Sequence, residues 1–227
     1  MSKLVRACMA LAAFAAFAVL PATAAATNDP QLTHPAGTLL APGTLIKATS
    51  VGATEFTNTA KEPLVTCSSA TMTGTLLKNS GGSVEGTITT SNFQGTGAVA
   101  AHNGLPECTG SFGNAWITVV GDLCVRSTPT MATHEFQVSR GGCPGEGNPR
   151  FIIGSTTIGE CEYETGSSVK GDYTTGEDTV MTVRHTAAGS GSSKIRGGFF
   201  CPSSGMLKMS FTLETDTTKS ADPIGIS

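Results

Sequence analysis

Met206-Leu207-Lys208-Met209-Ser210-Phe211-Thr212-Leu213 is the clearest β-strand in this sequence. From Leu207 to Leu213 every second residue is apolar, and the residues between them are polar. This strict period of two is typical of a strand with one face in a core and the other in solvent. Helical periodicity and helix-capping patterns are nearly absent from the rest of the chain. The stretch therefore predicts an all-β protein.

Glycine-rich turns separate the other β-type runs. Asn79-Ser80-Gly81-Gly82 joins a run that ends near Leu77 to one that starts at Val84, and Thr165-Gly166-Ser167 ends a later run. Connections this short leave no room for crossover helices, so antiparallel pairing is expected. The predicted fold is an antiparallel β-sandwich or a closed β-barrel of roughly ten to twelve strands.

Cysteine spacing suggests a duplication. Cys67 and Cys108 have 40 residues between them, and Cys161 and Cys201 have 39. Each second cysteine is followed by a β-type run. The spacing predicts two repeat-like, disulfide-closed halves near residues 65–120 and 158–214.

Six cysteines lie beyond the N-terminal segment, and an even number in an exported chain indicates three disulfides. Equivalent halves would pair Cys67 with Cys108 and Cys161 with Cys201, which leaves Cys124 and Cys143 to each other. A nested alternative, with Cys124 joined to Cys161, stays open. None of the cysteines has the Cys-x-x-Cys spacing of a metal site.

Residues 1–26 have the pattern of an export signal peptide. Lys3 and Arg6 precede an apolar run of about 11 residues, which is too short to span a bilayer. Small residues at 22–26 predict cleavage after Ala24 or Ala26. The expected organisation beyond the signal peptide is a flexible lead-in at 27–38, an all-β domain at 39–214 and a flexible tail at 215–227.

The charge balance excludes some partners. The chain has a formal net charge of −3, and loss of Lys3 and Arg6 would make it −5. No run of Lys and Arg is present, so nucleic acid and anionic membranes are not expected partners. No second apolar segment is long enough to be transmembrane. We expect a secreted or cell-surface protein whose partner, unidentified by the sequence, belongs to the cell envelope or the extracellular space.

Glu160, Glu162 and Glu164 form the densest acidic cluster. Such carboxylates suggest a cation site or an acid–base pair for hydrolysis. Side chains two residues apart on a strand are separated by about 6.5–7 Å, so all three cannot chelate one ion without a bend. We therefore interpret them as the solvent face of a strand whose other face carries Cys161 and Tyr163.

Three other residues are weak candidates for a site. His134 or His185 could supply the histidine of a Ser-His-Asp triad, but no Gly-x-Ser-x-Gly elbow supports one. Trp116 suggests stacking against a sugar ring, with core packing beside a disulfide as the plainer interpretation. No cofactor-binding motif and no metal-ligand cluster is found. The sequence therefore assigns no catalytic, cofactor-binding or metal-binding residue.

Residues 65–76, Val-Thr-Cys-Ser-Ser-Ala-Thr-Met-Thr-Gly-Thr-Leu, carry a family resemblance. The run Gly86-Thr87-Ile88-Thr89, the strand after Cys108 and the run Val169-Lys170-Gly171-Asp172-Tyr173 add to it. Together they resemble a group of small exported actinobacterial proteins that are cysteine-paired and rich in Thr and Ser. The resemblance implies export and a cysteine-pinned β fold, and it implies no activity.

The leading functional hypothesis is an exported, non-enzymatic β-protein with a binding, surface or structural role. It depends on the disulfides, on strands rich in hydroxyl groups and on the lack of a catalytic signature. Two alternatives stay open at this point. One is an extracellular hydrolase with a site assembled from loops, and the other is a carbohydrate-binding module.

Overall fold

The computed structural model describes residues 29–34, 37–96, 101–102, 105–176, 179–184, 191–215 and 222–226. Within these ranges the chain forms 19 strands and no helix, so the all-β prediction is confirmed. No helix in this part of the chain is long and apolar enough to cross a membrane. The strands are β1 (Leu32–Thr33), β2 (Leu45–Ser50), β3 (Thr54–Thr57), β4 (Pro63–Cys67), β5 (Ser69–Ser80), β6 (Ser83–Gln94), β7 (Ala101–His102), β8 (Leu105–Pro106), β9 (Cys108–Gly110), β10 (Gly113–Val119), β11 (Leu123–Ser127), β12 (Glu135–Arg140), β13 (Arg150–Ser155), β14 (Gly159–Thr165), β15 (Val169–Tyr173), β16 (Val180–Arg184), β17 (Ser192–Arg196), β18 (Ser204–Thr215) and β19 (Gly225–Ile226).

Eight antiparallel strands close into a ring, which we call barrel one. Its order is β16-β15-β12-β11-β6-β5-β2-β18, and β18 pairs back to β16. The Gly81-Gly82 turn joins β5 to β6, the two longest neighbours in the ring, and both glycines have positive φ. A closed barrel is therefore the observed form of the predicted antiparallel fold.

A second ring shares β18 with the first, and we call it barrel two. Its order is β18-β17-β14-β13-β10-β9-β4-β3, and β3 pairs back to β18. The shared strand changes partners along its length. Residues 204–208 pair with β17 and β3, and residues 209–215 pair with β16 and β2. The alternating stretch 206–213 is thus the seam between the two barrels.

Successive hairpins along the chain belong alternately to barrel two and to barrel one. The hairpins β3–β4, β9–β10 and β13–β14 belong to barrel two, and β5–β6, β11–β12 and β15–β16 belong to barrel one. Each barrel is consequently assembled from segments that are distant in sequence. The internal repeat at 65–120 and 158–214 stays a prediction, and neither range corresponds to a single barrel.

Each barrel has its own hydrophobic core. The core of barrel two contains an aromatic cluster in which Phe56 lies 5.5 Å from Phe151 and 5.0 Å from Tyr163, measured between ring centroids. Gly205 leaves space for this cluster, because a Cβ there would lie 2.0 Å from Cζ of Phe56. The core of barrel one is mainly aliphatic, with Leu76 and Leu123 among its members.

The two ends of the described chain meet in a plug at one end of barrel one. Strand β1 pairs with β19, and we call residues 29–34 with 222–226 the terminal plug. The sequence predicted flexible segments here, at 27–38 and 215–227, so the described parts of both differ from that expectation. The physical reason is the open end of the barrel, which offers these sparse apolar side chains a core. The buried side chains contributed are Pro30, Leu32, Ile224 and Ile226.

Three disulfides are present among the described residues. They join Cys67 to Cys108, Cys124 to Cys143 and Cys161 to Cys201, which agrees with the pairing that the spacing favoured. Each of the two longer links closes a loop that leaves barrel two, forms one hairpin of barrel one and returns. These two disulfides therefore crosslink the chain where it passes from barrel two to barrel one and back.

Candidate functional site

The lumen of barrel one contains a cavity of about 140 Å³. Side chains from all eight strands of the ring line it, and the terminal plug adds Pro30, Leu32 and Ile226. An eight-stranded barrel is just wide enough either to be filled by its own side chains or to hold one small ligand. Barrel one leaves room. Its apolar lining includes Ile46, Ala48, Val84, Ile88, Val125, Phe136, Val138, Met181, Val183, Met209 and Leu213.

Small residues explain the empty space. Ala48 on β2, Gly74 on β5 and Gly86 on β6 lie on three consecutive strands of the ring and line the cavity. Between them they supply one methyl group, where larger apolar side chains would fill the lumen. Gly74 is also required by the backbone, because a Cβ there would lie 1.9 Å from the carbonyl oxygen of Thr87. Barrel two, by contrast, has an aromatic cluster in its core.

Two polar side chains that line the cavity are hydrogen-bonded to other protein groups. Ser127 Oγ donates to the carbonyl oxygen of Glu135 at 2.6 Å, and Arg126 Nη2 donates to Gln137 Oε1 at 2.9 Å. The wall of the cavity is almost entirely apolar as a result. A group that hydrogen-bonds would lose its water partners on entering and gain few in return. The site is chemically suited to an apolar molecule.

The predicted acidic cluster lies on the outer face of barrel two. Glu162 and Glu164 flank Arg150 of the neighbouring strand β13: Arg150 Nε bonds Glu164 Oε2, and Arg150 Nη1 is 4.0 Å from Glu162 Oε1. Glu160 is exposed at the start of β14. No group of three potential metal ligands occurs among the described residues. The arrangement is that of a strand face whose carboxylates are partly neutralised by an arginine.

His134 lies at the start of β12, far from the acidic strand in the ring order. Its backbone has φ of 62°, and its carbonyl oxygen accepts a hydrogen bond from Tyr173 N at 2.9 Å. The neighbouring Glu135 carboxylate accepts from Lys170 Nζ at 2.9 Å. The ring of His134 lies 5.5 Å from that of Tyr173, measured between centroids, and the Glu135 carboxylate is engaged by a lysine of β15. His185 lies outside the described residues.

Trp116 is half-buried on the outer face of barrel two. It is the cross-strand partner of Gly154, which is in turn the partner of Glu160. A Cβ at Gly154 would lie 2.2 Å from Cε2 of Trp116, so the indole ring covers this glycine. Trp116 and Glu160 thus flank one residue, and they are the only two of the sequence candidates placed in one cross-strand row within the described chain.

The two tyrosines are core residues. Tyr163 is fully buried in barrel two, and Tyr173 is 5% exposed in barrel one. Burial raises the pKa of the Tyr163 phenol to about 12, and its Oη donates to the carbonyl oxygen of Pro202 at 3.0 Å. Tyr163 packs with Phe56 and Phe151, so it lies on the face of β14 opposite the three glutamates, as the alternation of the strand predicted. Neither tyrosine joins Trp116 on an outer face.

Sequence reasoning missed the lumen of barrel one, since no motif marks it. A usable signal was the coincidence of small residues at Ala48, Gly74 and Gly86 inside runs that otherwise alternate. The pair Phe199-Phe200 was also not predicted to be a site. Two adjacent rings between Gly197-Gly198 and Cys201-Pro202 cannot both face one core from a strand.

The chain was compared with protein-family models, with curated proteins and with solved structures, and none of the three comparisons finds a match. The site is consequently interpreted from its own geometry.

Proposed function

We propose that this protein binds a small apolar molecule inside barrel one and acts as a non-enzymatic carrier or sensor outside the cytoplasm. The observation that carries the proposal is the cavity of about 140 Å³ with an almost wholly apolar wall. An apolar cavity of roughly 150 Å³ stays dry and takes up benzene or xenon. The lumen of barrel one has a comparable volume.

Disulfides support the proposed location. Three crosslinks within one chain are compatible with an oxidising compartment, where such bonds persist. The predicted signal peptide points the same way. A closed and crosslinked barrel also limits rearrangement on binding, so the entropy cost of ordering the site is met on folding.

Thermal unfolding with and without benzene tests the proposal. A ligand that binds only the folded state raises Tm as its concentration exceeds Kd. We expect benzene and xenon to raise Tm, and we expect phenol to bind at least roughly tenfold more weakly, because its hydroxyl group loses hydrogen bonds in the lumen.

Two alanine substitutions locate the site. Ala48→Leu places three more carbons in the lumen and should abolish the response to benzene. Ala132→Leu adds the same atoms at an exposed position and should leave it unchanged. Far-ultraviolet circular dichroism checks that both variants fold. Equal benzene binding by wild type and Ala48→Leu, or no binding by a folded wild type, would refute the proposal.

A further inference from the structure

Phe199 and Phe200 are the most exposed large apolar side chains of the described chain. Phe199 is 96% exposed and Phe200 is 66% exposed. The two rings contact each other edge to face, with 5.8 Å between their centroids. Single exposed apolar residues are common on protein surfaces, whereas two adjacent protruding rings are a feature that calls for a partner. They lie in the loop 197–203 between β17 and β18, which we call the aromatic loop.

The aromatic loop is firmly held. The disulfide to Cys161 fixes its Cys201, and Lys194 Nζ donates to the carbonyl oxygens of Gly198 and Cys201 at 3.3 and 3.2 Å. Gly197 has φ of 136°, and a Cβ there would lie 2.5 Å from Cys201 Sγ. The rings are therefore presented by a fixed backbone, and binding would require little additional ordering.

Four main-chain carbonyl groups of this loop accept hydrogen bonds from within the protein. Besides the two bonded by Lys194 Nζ, the carbonyl of Pro202 accepts from Tyr163 Oη at 3.0 Å, and that of Ser203 accepts from Lys194 N at 2.9 Å. An exposed loop in water has no need of such internal donors, since water serves. In a hydrocarbon environment each unsatisfied carbonyl would be costly. The internal donors therefore lower the cost of moving these four carbonyl groups out of water.

The aromatic loop lies at the end of barrel two that also carries the other hairpin turns. The strand registers place the turns at 58–62, 111–112 and 156–158 at this end, and Phe112 in the second of them is 37% exposed. Lys61 and Arg196 contribute positive charge there, and Glu62 and Glu160 contribute negative charge. With both signs present, apolar contact and not net charge must supply the attraction.

We propose that the aromatic loop docks on a lipid surface, with the rings of Phe199 and Phe200 inserted at the level of the head groups and first acyl carbons. A folded protein partner fits less well. A stable protein interface buries about 800 Å² on each side, whereas two phenylalanine rings offer roughly 300–400 Å². A lipid surface needs no complementary pocket and accepts a protruding ring of any orientation. This site lies in barrel two and is independent of the cavity in barrel one.

Vesicle flotation tests the proposal with the oxidised exported protein, from which the predicted signal peptide is absent, because the apolar run of that peptide would itself bind lipid. Wild type should bind phosphatidylcholine vesicles, and binding should change less than about twofold when phosphatidylglycerol or 0.5 M salt is added, because the loop end carries both charge signs. Phe199→Ser with Phe200→Ser should lower the partition coefficient at least roughly tenfold, which corresponds to the loss of apolar burial of one or two rings.

Two further variants make the test specific. Leu45→Ser with Leu77→Ser removes exposed apolar side chains of barrel one, which are 53% and 45% exposed, and should leave vesicle binding unchanged. Phe199→Trp should keep vesicle binding. Brominated lipid should quench a larger part of the tryptophan fluorescence in this variant than in wild type, whose single tryptophan is Trp116. Unchanged binding by the double serine variant would overturn the proposal, as would binding that requires anionic lipid. No vesicle binding by wild type together with a dimer that the serine variant dissociates would identify a self-association surface instead.

Discussion

The side-chain amide of Asn79 hydrogen-bonds both main-chain groups of Leu32. Leu32 N donates to Asn79 Oδ1 at 2.8 Å, and Asn79 Nδ2 donates to the carbonyl oxygen of Leu32 at 2.8 Å. The same Nδ2 also donates to the carbonyl of Leu40 at 2.9 Å. Asn79 lies just before the β5–β6 turn and is 5% exposed. The buried amide of Asn79 thus makes the two hydrogen bonds to Leu32 that a neighbouring strand would otherwise make.

Asn79→Ala should loosen the terminal plug. It removes the acceptor of Leu32 N in a buried place, while the Leu32 carbonyl keeps its bond from Leu40 N at 3.0 Å. The free energy of unfolding should fall by about 2 kcal/mol. Hydrogen exchange should accelerate in residues 29–34 and 222–226 before the rest of barrel one. Asn114→Ala, at an exposed position of β10, is the control and should change neither measurement. Uniform acceleration across both barrels would contradict this account.

Removal of single disulfides should rank by loop length. The Cys67–Cys108 and Cys161–Cys201 links have sequence separations of 41 and 40, so replacement of either pair by alanine should cost about 4 kcal/mol in the loop-closure estimate. The Cys124–Cys143 link has a separation of 19 and should cost about 3 kcal/mol. Urea unfolding of the three double-alanine variants measures these losses.

Peptide mapping without reduction is the check on the pairing itself. A Cys67–Cys161 or Cys108–Cys201 crosslink would contradict the fold, because those residues are placed in other pairs. It would also end the prediction of two equivalent halves. Equal stability losses from the two longer links are expected whether or not the halves share an origin, since the estimate depends on loop length alone.

Tyr163 should make the protein sensitive to alkaline pH. Its pKa is raised to about 12 by burial, above the ordinary value of 10.0, so the folded state holds the phenolic proton more tightly than the unfolded state. The stabilisation is fully present below pH 10 and is lost as pH rises towards 12. Tyr163→Phe should flatten the fall in stability over this window and cost about 1 kcal/mol at neutral pH for the lost bond to Pro202. A wild-type stability that is constant between pH 10 and 12 would argue against a buried, neutral phenol.

Neutralising the acidic strand should have little effect on the fold. Replacing Glu160, Glu162 and Glu164 by Gln removes partly exposed ion pairs with Arg150, which are worth at most about 1 kcal/mol. Calcium titration should leave Tm of wild type and variant unchanged. A calcium-dependent rise in Tm that disappears in the variant would establish a metal site here.

Local patterns in the sequence predicted the local features of the fold. The alternation from Leu207 to Leu213 and the turn at Gly81-Gly82 each depend on residues close together in the chain. Cysteine spacing favoured the observed disulfides. Ring closure depends on which distant strands pair, and a period of two says nothing about that choice. The terminal plug escaped prediction because its apolar side chains, such as Leu32 and Ile226, lie singly in polar segments.

The candidate residues chosen from the sequence do not all come together in one site. Glu160, Glu162, Glu164, His134 and Trp116 were selected for their chemistry, and the structure spreads them over two barrels. The cavity exists because small residues, such as Ala48 and Gly86, occupy positions that face the lumen. Their effect cannot be predicted from the sequence, because it depends on which distant strands are neighbours in the ring. His185 lies outside the described residues, so its role stays a prediction.

The alternate assignment of hairpins gives the molecule an interlaced construction. No single cut in the backbone yields two pieces that each keep a complete ring, because the strands of the two rings alternate along the chain and both rings include β18. Such a cut would expose unpaired strand edges. Strand β18 is shared by both barrels. Its residues 204–208 begin beside the aromatic loop, and its residues 209–215 end at the terminal plug. A load applied to the loop at one end reaches the wall of the apolar cavity through the covalent backbone of one strand.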